Sequence, residues 1–241
     1  ISGQVYKKQI SSGVRSFGVQ GFNIIENVKN ITKYAEQVSE PGSIRFHLEK
    51  AIHNAKSGRP GPVWLDIPFD VQASLIEPNE LVGYRHENDI DNLDKIKLSS
   101  AFDALCQSKK PLIVFGQGIR NAKAISELKH MLEQWEIPSI SARMGLDILA
   151  YSNPYYFGLG GMRGHKAPAI IMKECDLVIV LGSSFTHAFA GENYEKVNPS
   201  AKLIMVNNDI SEMTKPGMNI NLSLEMPPPN INILLFLIQI S

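Results

Sequence analysis

Two kinds of apolar pattern alternate along this chain. Pro111-Leu112-Ile113-Val114-Phe115, Ile137 to Ser141, Asp176-Leu177-Val178-Ile179-Val180-Leu181 and Leu203-Ile204-Met205-Val206 are runs of strand length with almost no polar residue. A strand that is apolar on both faces must be covered on both. Between these runs, apolar residues recur at helical spacing. Ala122 to Trp135 places Ile125, Leu128, Met131, Leu132 and Trp135 on one face, and Ala167 to Cys175 reads as a second helix. Strand, helix, strand, helix in this order predicts an α/β fold with a parallel sheet covered on both sides.

An earlier block repeats the rhythm. Glu40-Pro41-Gly42 predicts a turn, and Ile44, Leu48, Ala51, Ile52 and Ala55 predict a helix after it. Ser57-Gly58-Arg59-Pro60-Gly61-Pro62 ends that helix, because glycine and proline do not continue it. Val63 to Ile67 is then a short buried strand. Ile1-Ser2-Gly3-Gln4-Val5 reads as the end of a buried strand running into a loop. With no initiator Met before it, the chain is expected to be an internal piece of a longer protein. Pro78 to Asp94 is polar and acidic, with Glu80, Glu87, Asp89 and Asp91, and reads as a linker or as an exposed loop. At the far end, Met226-Pro227-Pro228-Pro229 precedes an apolar run, Ile231 to Ile240. That run is too short for the ~20 residues a membrane-spanning helix needs. It is either one more core element or a tail foreign to the fold. The expected division is residues 1–77, a linker over 78–97, a second domain over 98–222 and an atypical tail over 223–241.

Composition acts mainly by exclusion. Hydrophobic residues make up 44% and charged residues 20%, as in ordinary soluble domains. Lys+Arg and Asp+Glu both number 24, so there is no basic surplus for nucleic acid. No signal peptide or membrane span is read, and the two cysteines, Cys106 and Cys175, suggest neither a disulfide framework nor zinc. A reducing, cytoplasmic setting follows. The six histidines form no ligand pair of useful spacing, so no metal site is expected.

Candidate ligand positions lie where strands end. Gly116-Gln117-Gly118 follows a strand and precedes a helix, as in phosphate-binding turns, but Asn121 stands where a dinucleotide fingerprint wants its third glycine. A tight turn without a ligand fits equally. Gly182 ends the strand over Asp176–Leu181, and Asp209 follows the one ending at Val206. Asp209 could hold a ribose hydroxyl, or cap a helix over Ile210 to Lys215, the preferred reading. Gly158, Gly160, Gly161 and Gly164 surround Met162 and Arg163, a pattern either for backbone packed against something flat or anionic, with Arg163 as a phosphate partner, or for a flexible loop carrying an ordinary surface arginine.

The series Ile1-Ser2-Gly3-Gln4-Val5, Gln20, Ile31-Thr32-Lys33, Ser57-Gly58-Arg59-Pro60-Gly61-Pro62-Val63 and Asp66-Ile67-Pro68-Phe69-Asp70-Val71-Gln72 resembles, in order and spacing, the second half of the pyrimidine-binding domain of acetolactate synthase-like, thiamine-diphosphate-dependent enzymes. Residues 98–222 resemble that family's central domain, which implies a Rossmann-like six-stranded parallel sheet. The resemblance implies a parent enzyme that decarboxylates a 2-oxo acid, pyruvate first of all, and transfers the acyl carbanion to a carbonyl acceptor, using thiamine diphosphate and Mg²⁺ in a homodimer or homotetramer. The family's activating glutamate and Mg²⁺-holding Gly-Asp-Gly motif have no counterpart here, so no catalytic residue and no activity of its own is expected of this chain. Gln20 falls on a family position lining the substrate pocket, where its amide would orient the substrate carboxylate. Val19, where those synthases carry Phe, and a short insertion before it point to a different acceptor. The family's central domain binds FAD, but its Arg-Phe-Asp-Asp-Arg segment is replaced by Ser184-Phe185-Thr186-His187-Ala188, which argues against FAD. A non-catalytic nucleotide-binding module and an inactive gene fragment are the alternatives.

Overall fold

A computed structural model of the chain describes residues 1–3, 5–10, 17, 19–85, 94–191 and 194–226. The central part of the expected linker, residues 86–93, and the expected tail beyond Met226 lie outside these. The chain divides into two compact units, Ile1–Ile90 and Asp91–Ser241.

In the first unit, β1 (Tyr34–Gln37) and β2 (Val63–Asp66) pair in parallel, with Tyr34 beside Val63 and Gln37 beside Asp66. Ser2 forms a single parallel bridge to Asp66. Its N–H donates to Leu65 O at 2.9 Å and its carbonyl accepts from Ile67 N at 2.8 Å. Ile1 is 81% exposed, so the first residues are a bridged edge and not the buried strand end expected from their composition. The buried Asp66 carboxylate is satisfied by the Ser2 hydroxyl at 2.7 Å and the Gln37 amide at 3.1 Å.

Three helices accompany this pair: α1 (Ile24–Val28), α2 (Ile44–Lys56) and α3 (Phe69–Gln72). α2 covers the span that its periodicity predicts, burying Ala51 while Ile52 stays exposed. The Tyr34 hydroxyl lies 2.6 Å from His47 Nδ1, tying β1 to α2. Burial pushes the Tyr34 phenol up to about 12 and holds His47 below its ordinary value, so the pair is neutral near pH 7.

The second unit runs α4 (Lys95–Gln107), β3 (Pro111–Phe115), α5 (Gly118–Asn121), α6 (Ile125–Trp135), β4 (Ser139–Ser141) and β5 (Tyr156–Leu159). It continues with α7 (Lys166–Glu174), β6 (Leu177–Leu181), α8 (His187–Ala190), β7 (Lys202–Asn207) and β8 (Leu222–Glu225). The strands form one parallel sheet in the order β5-β4-β3-β6-β7-β8, the Rossmann-like sheet that the resemblance implies. Alternate residues of each strand point to opposite faces. Ile113, Phe115, Ile179 and Leu181 meet Leu98 and Leu105 of α4 and Leu128 and Leu132 of α6 in one core. Leu112, Val114, Val178 and Val180 meet Met172, Cys175 and Phe185 in the other. Each such side chain contributes about 1.5–3 kcal/mol on full burial, which is why the central strands carry no polar position.

Three boundaries differ from expectation. α4 starts inside the expected linker, where the Asp94 carboxylate accepts from Lys97 N at 3.0 Å and caps the first turn. The expected helix over Ala122–Trp135 starts only at Ile125, because Lys123 takes a left-handed backbone with φ 57°. The segment over Ile210 is a single 3₁₀ turn, Ile210–Met213, rather than a helix reaching Lys215.

Asp176, just before β6, holds the turn between α4 and β3. It accepts from the Ser108 hydroxyl, from Lys109 N at 2.9 Å and from Lys110 N at 3.0 Å, and the Ser108 bond leads in holding its carboxyl below the ordinary aspartate range. Asp176→Ala should cost about 1–3 kcal/mol, read as a shift in the urea midpoint at pH 7. A carboxyl with a lowered folded value stabilises above its unfolded value, near 3.9, and ceases to as pH falls through the folded one. The gap between wild type and variant should therefore narrow as pH falls below the unfolded value and through the lowered folded one.

Candidate functional site

In the order β5-β4-β3-β6-β7-β8, connections leave β3 toward one edge of the sheet and β6 toward the other. The carboxyl ends of this central pair form the topological switch point, where open α/β sheets bind ligands. Gly116, Gly118 and Gly182, all singled out from sequence, meet there. The Gly118 N–H donates to Gly182 O at 2.8 Å, Gly116 N to Leu181 O at 3.0 Å, and Gly182 N to Val206 O at 3.0 Å. A Cβ on Gly118 would stand 2.5 Å from Gly182 Cα, and one on Gly116 2.7 Å from Gly182 O. Gly182 also has φ +57°, a backbone that L side chains rarely adopt. These glycines are required by one another: the two turns touch backbone to backbone, and the N–H groups of Gly116, Gly118 and Gly182 already have acceptors.

Arg163 and Gly161 lie on the loop after β5. Gly161 has φ +94°, and a Cβ there would meet Phe189 Cα at 2.8 Å. A Cβ on Gly160 would meet the Phe189 ring at 2.7 Å. The flat partner of this glycine loop is thus Phe189 of α8. Arg163 is exposed and forms no ion pair among the described residues. Asp209 caps the 3₁₀ turn, accepting from Ser211 N at 3.0 Å.

Several charged residues near the crevice escaped the sequence reading, and each has a partner. Arg120 pairs with Asp147 at 2.8 Å, an interaction that holds the Asp147 carboxyl below its usual range. Lys215 reaches the Ser184 carbonyl and the Glu212 carboxylate. Asn207 donates to Ser183 O at 3.1 Å and ties the end of β7 to that of β6. Such pairings need a fold before they can be seen.

Gln20 belongs to the first unit and is not part of this crevice. It is exposed in a turn with φ 64°, so its amide is on the surface rather than buried among apolar residues. Among the described residues, no group of three His, Cys, Asp or Glu side chains could hold a metal ion.

Residues 98–224 match the family of the thiamine pyrophosphate enzyme central domain. The acetolactate synthase isozyme 1 large subunit of Escherichia coli (strain K12) is 31% identical over 185 residues, 77% of this chain and 32% of that one. The acetolactate synthase of Arthrospira platensis is 32% identical over 225 residues, 89% of this chain and 38% of that one. The chain therefore spans about a third of the length of these relatives. The crystal structure of benzoylformate decarboxylase from Polynucleobacter necessarius superposes with a TM-score of 0.80 over 98% of this chain and 43% of that one, at 19% identity, a likeness of fold.

The backbone contact can be tested by adding single methyl groups. Gly118→Ala and Gly182→Ala should each destabilise the second unit by more than about 2 kcal/mol, since backbone must move to admit the Cβ. Gly217→Ala, at φ +76° with open space around it, should cost only about 1 kcal/mol of strain. Thermal unfolding of the three variants ranks them, and equal losses would refute the contact.

Proposed function

The chain belongs to the thiamine pyrophosphate enzyme family, and we propose that it is part of an enzyme that decarboxylates a 2-oxo acid, pyruvate first of all, and transfers the acyl group to a carbonyl acceptor. The observation that carries this reading is extent. Similarity to acetolactate synthases runs through most of the chain, well beyond the residues that match the central domain. Bound thiamine diphosphate would supply the electron sink for loss of CO₂. On this reading the metal and diphosphate are held by parts of the parent that this chain does not span, in keeping with the lack of any group of three His, Cys, Asp or Glu that could hold a metal ion among the described residues. The same reading carries an assembly of two or four copies in the cytoplasm. No helix among the described residues is long and apolar enough to cross a membrane.

FAD has no part in this proposal. The Gly116, Gly118 and Gly182 amides at the switch point are spent on backbone acceptors, and Lys215 on Ser184 and Glu212. Phe185, the one residue of the family's flavin segment kept here, is buried at φ 42°, while its charged neighbours are replaced by Ser184, Thr186, His187 and Ala188. The same saturation gives no support to a free-standing nucleotide-binding module. The purified parent should be colourless, and a stoichiometric flavin absorption band would contradict this.

The activity is tested on parent and chain side by side. CO₂ release from pyruvate should require both thiamine diphosphate and Mg²⁺ in the parent and be absent from the 241-residue chain. The chain should bind thiamine diphosphate no tighter than roughly millimolar by calorimetry. Turnover by the chain alone, or a parent indifferent to the cofactor, would defeat the proposal. In the parent, Gln20→Ala should lower kcat/KM for the 2-oxo acid about tenfold, one hydrogen bond's worth. Its melting temperature should hold, because an exposed turn residue carries little packing.

A further inference from the structure

A cavity of about 330 Å³ lies on the sheet face opposite α4 and α6, away from the crevice. Its apolar walls come from Met172 of α7, Val178 of β6, Leu203 of β7, Phe185 and Tyr194 after β6, and Met218 before β8. We propose that this cavity is a binding site for a neutral ring compound bearing one hydrogen-bonding group.

Size and chemistry agree on that class. Small-molecule sites start at about 300 Å³ and combine apolar walls with few polar groups. Among the described lining residues the Tyr194 phenol is the one titratable group, and burial, helped by the nearby Glu212 charge, pushes it up, so it stays protonated. A carboxylate or phosphate would lose its water there and gain no counter-charge from the described lining residues. At the rim, the Asn219 amide and the Tyr194 hydroxyl have no hydrogen-bond partner among the described residues, so one polar substituent can be met.

The walls are fixed before any ligand arrives. Asn198 donates to the carbonyls of Met172 and Cys175, both at 2.8 Å, and accepts from Ser200 N and Ala201 N, both at 3.1 Å. The first two bonds fasten the turn before β7 to the end of α7, and the other two close the turn on itself. Phe185 is buried with φ 42°, its ring 5.0 Å from Phe189 and stacked on Tyr194 at 6.4 Å. A buried non-glycine residue in that backbone region persists only where its surroundings hold it. The gap therefore cannot close by a simple side-chain swing. This inference stands apart from the proposed reaction, since none of it uses thiamine chemistry.

The test titrates the 241-residue chain, labelled with ¹³C-methyl methionine, with indole and separately with phenylacetate. The Met172 and Met218 methyls should shift saturably with indole, while Met131, on the other face of the sheet, and the exposed Met144 stay still. Phenylacetate should bind at least about tenfold more weakly. Ala201→Phe, which fills the cavity from its wall, should abolish the shifts. Should that variant fail to fold, Asn219→Ala on the exposed rim should weaken indole about threefold. Shifts that never saturate, that reach Met131 and Met144 equally, that persist in a folded Ala201→Phe, that keep their wild-type affinity in Asn219→Ala, or that phenylacetate reproduces at equal affinity would each overturn the site.

Discussion

β3 and β6 run side by side at the centre of the six-stranded sheet, with Leu112 to Phe115 and Leu177 to Leu181 buried. A pair buried on both faces leaves its turns few ways out. In this order of strands they must leave in opposite directions, and the gap so opened is what makes a binding crevice in other α/β sheets. Here the gap is closed by the chain itself, through the Gly118 N–H to Gly182 O bond at 2.8 Å and the absence of side chains on either partner. Much of the unit is set by that closure. It places α5 and α6 over one face, and it sends Phe185 into the other, where it becomes a wall of the second core.

What could be read from sequence divides along the same line. β3, β6 and β7 were legible because burial on both faces leaves an unbroken apolar run, and α6 because it buries one stripe of Leu128, Met131 and Leu132. β1, β5 and β8 were not. Tyr34–Gln37 and Leu222–Glu225 mix charged and polar residues with half-buried ones, and Tyr156–Leu159 contains a glycine at φ +97°. In the first unit, the resemblance carried more than the residue pattern did. The start of α4 was hidden because a capping Asp94 among lysines looks like any polar linker. The break at Lys123 left no trace, since nothing local marks a lysine for a left-handed backbone.

At the candidate site the residues were legible but their partners were not. Sequence marks Gly116, Gly118 and Gly182 as places where backbone comes close to something, and a phosphate was the natural candidate. That the something is the other glycine turn, more than sixty residues along the chain, follows only from β3 lying beside β6. The glycines around Arg163 repeat the lesson, their flat partner being the Phe189 ring. Gly-rich strand ends therefore report close approach, and only the hydrogen-bond accounting tells ligand from protein.

That accounting also bears on how chemistry would be shared out in the parent. Several charges in the second unit are matched locally: Arg120 with Asp147, Lys215 with Glu212, Lys110 with Glu174, and Asp176 with the turn it holds. A 2-oxo acid and a diphosphate both demand concentrated positive charge or a metal ion. A unit in which Arg120 and Lys215 are engaged, the Gly116, Gly118 and Gly182 amides are spent and the described lining of the second cavity is uncharged offers little to either. On the proposed reading it would serve as a rigid spacer that orders the catalytic parts around it. The feature that suits it to that work, a sealed strand pair buried on both faces, is the one that withdraws its own crevice from anion binding.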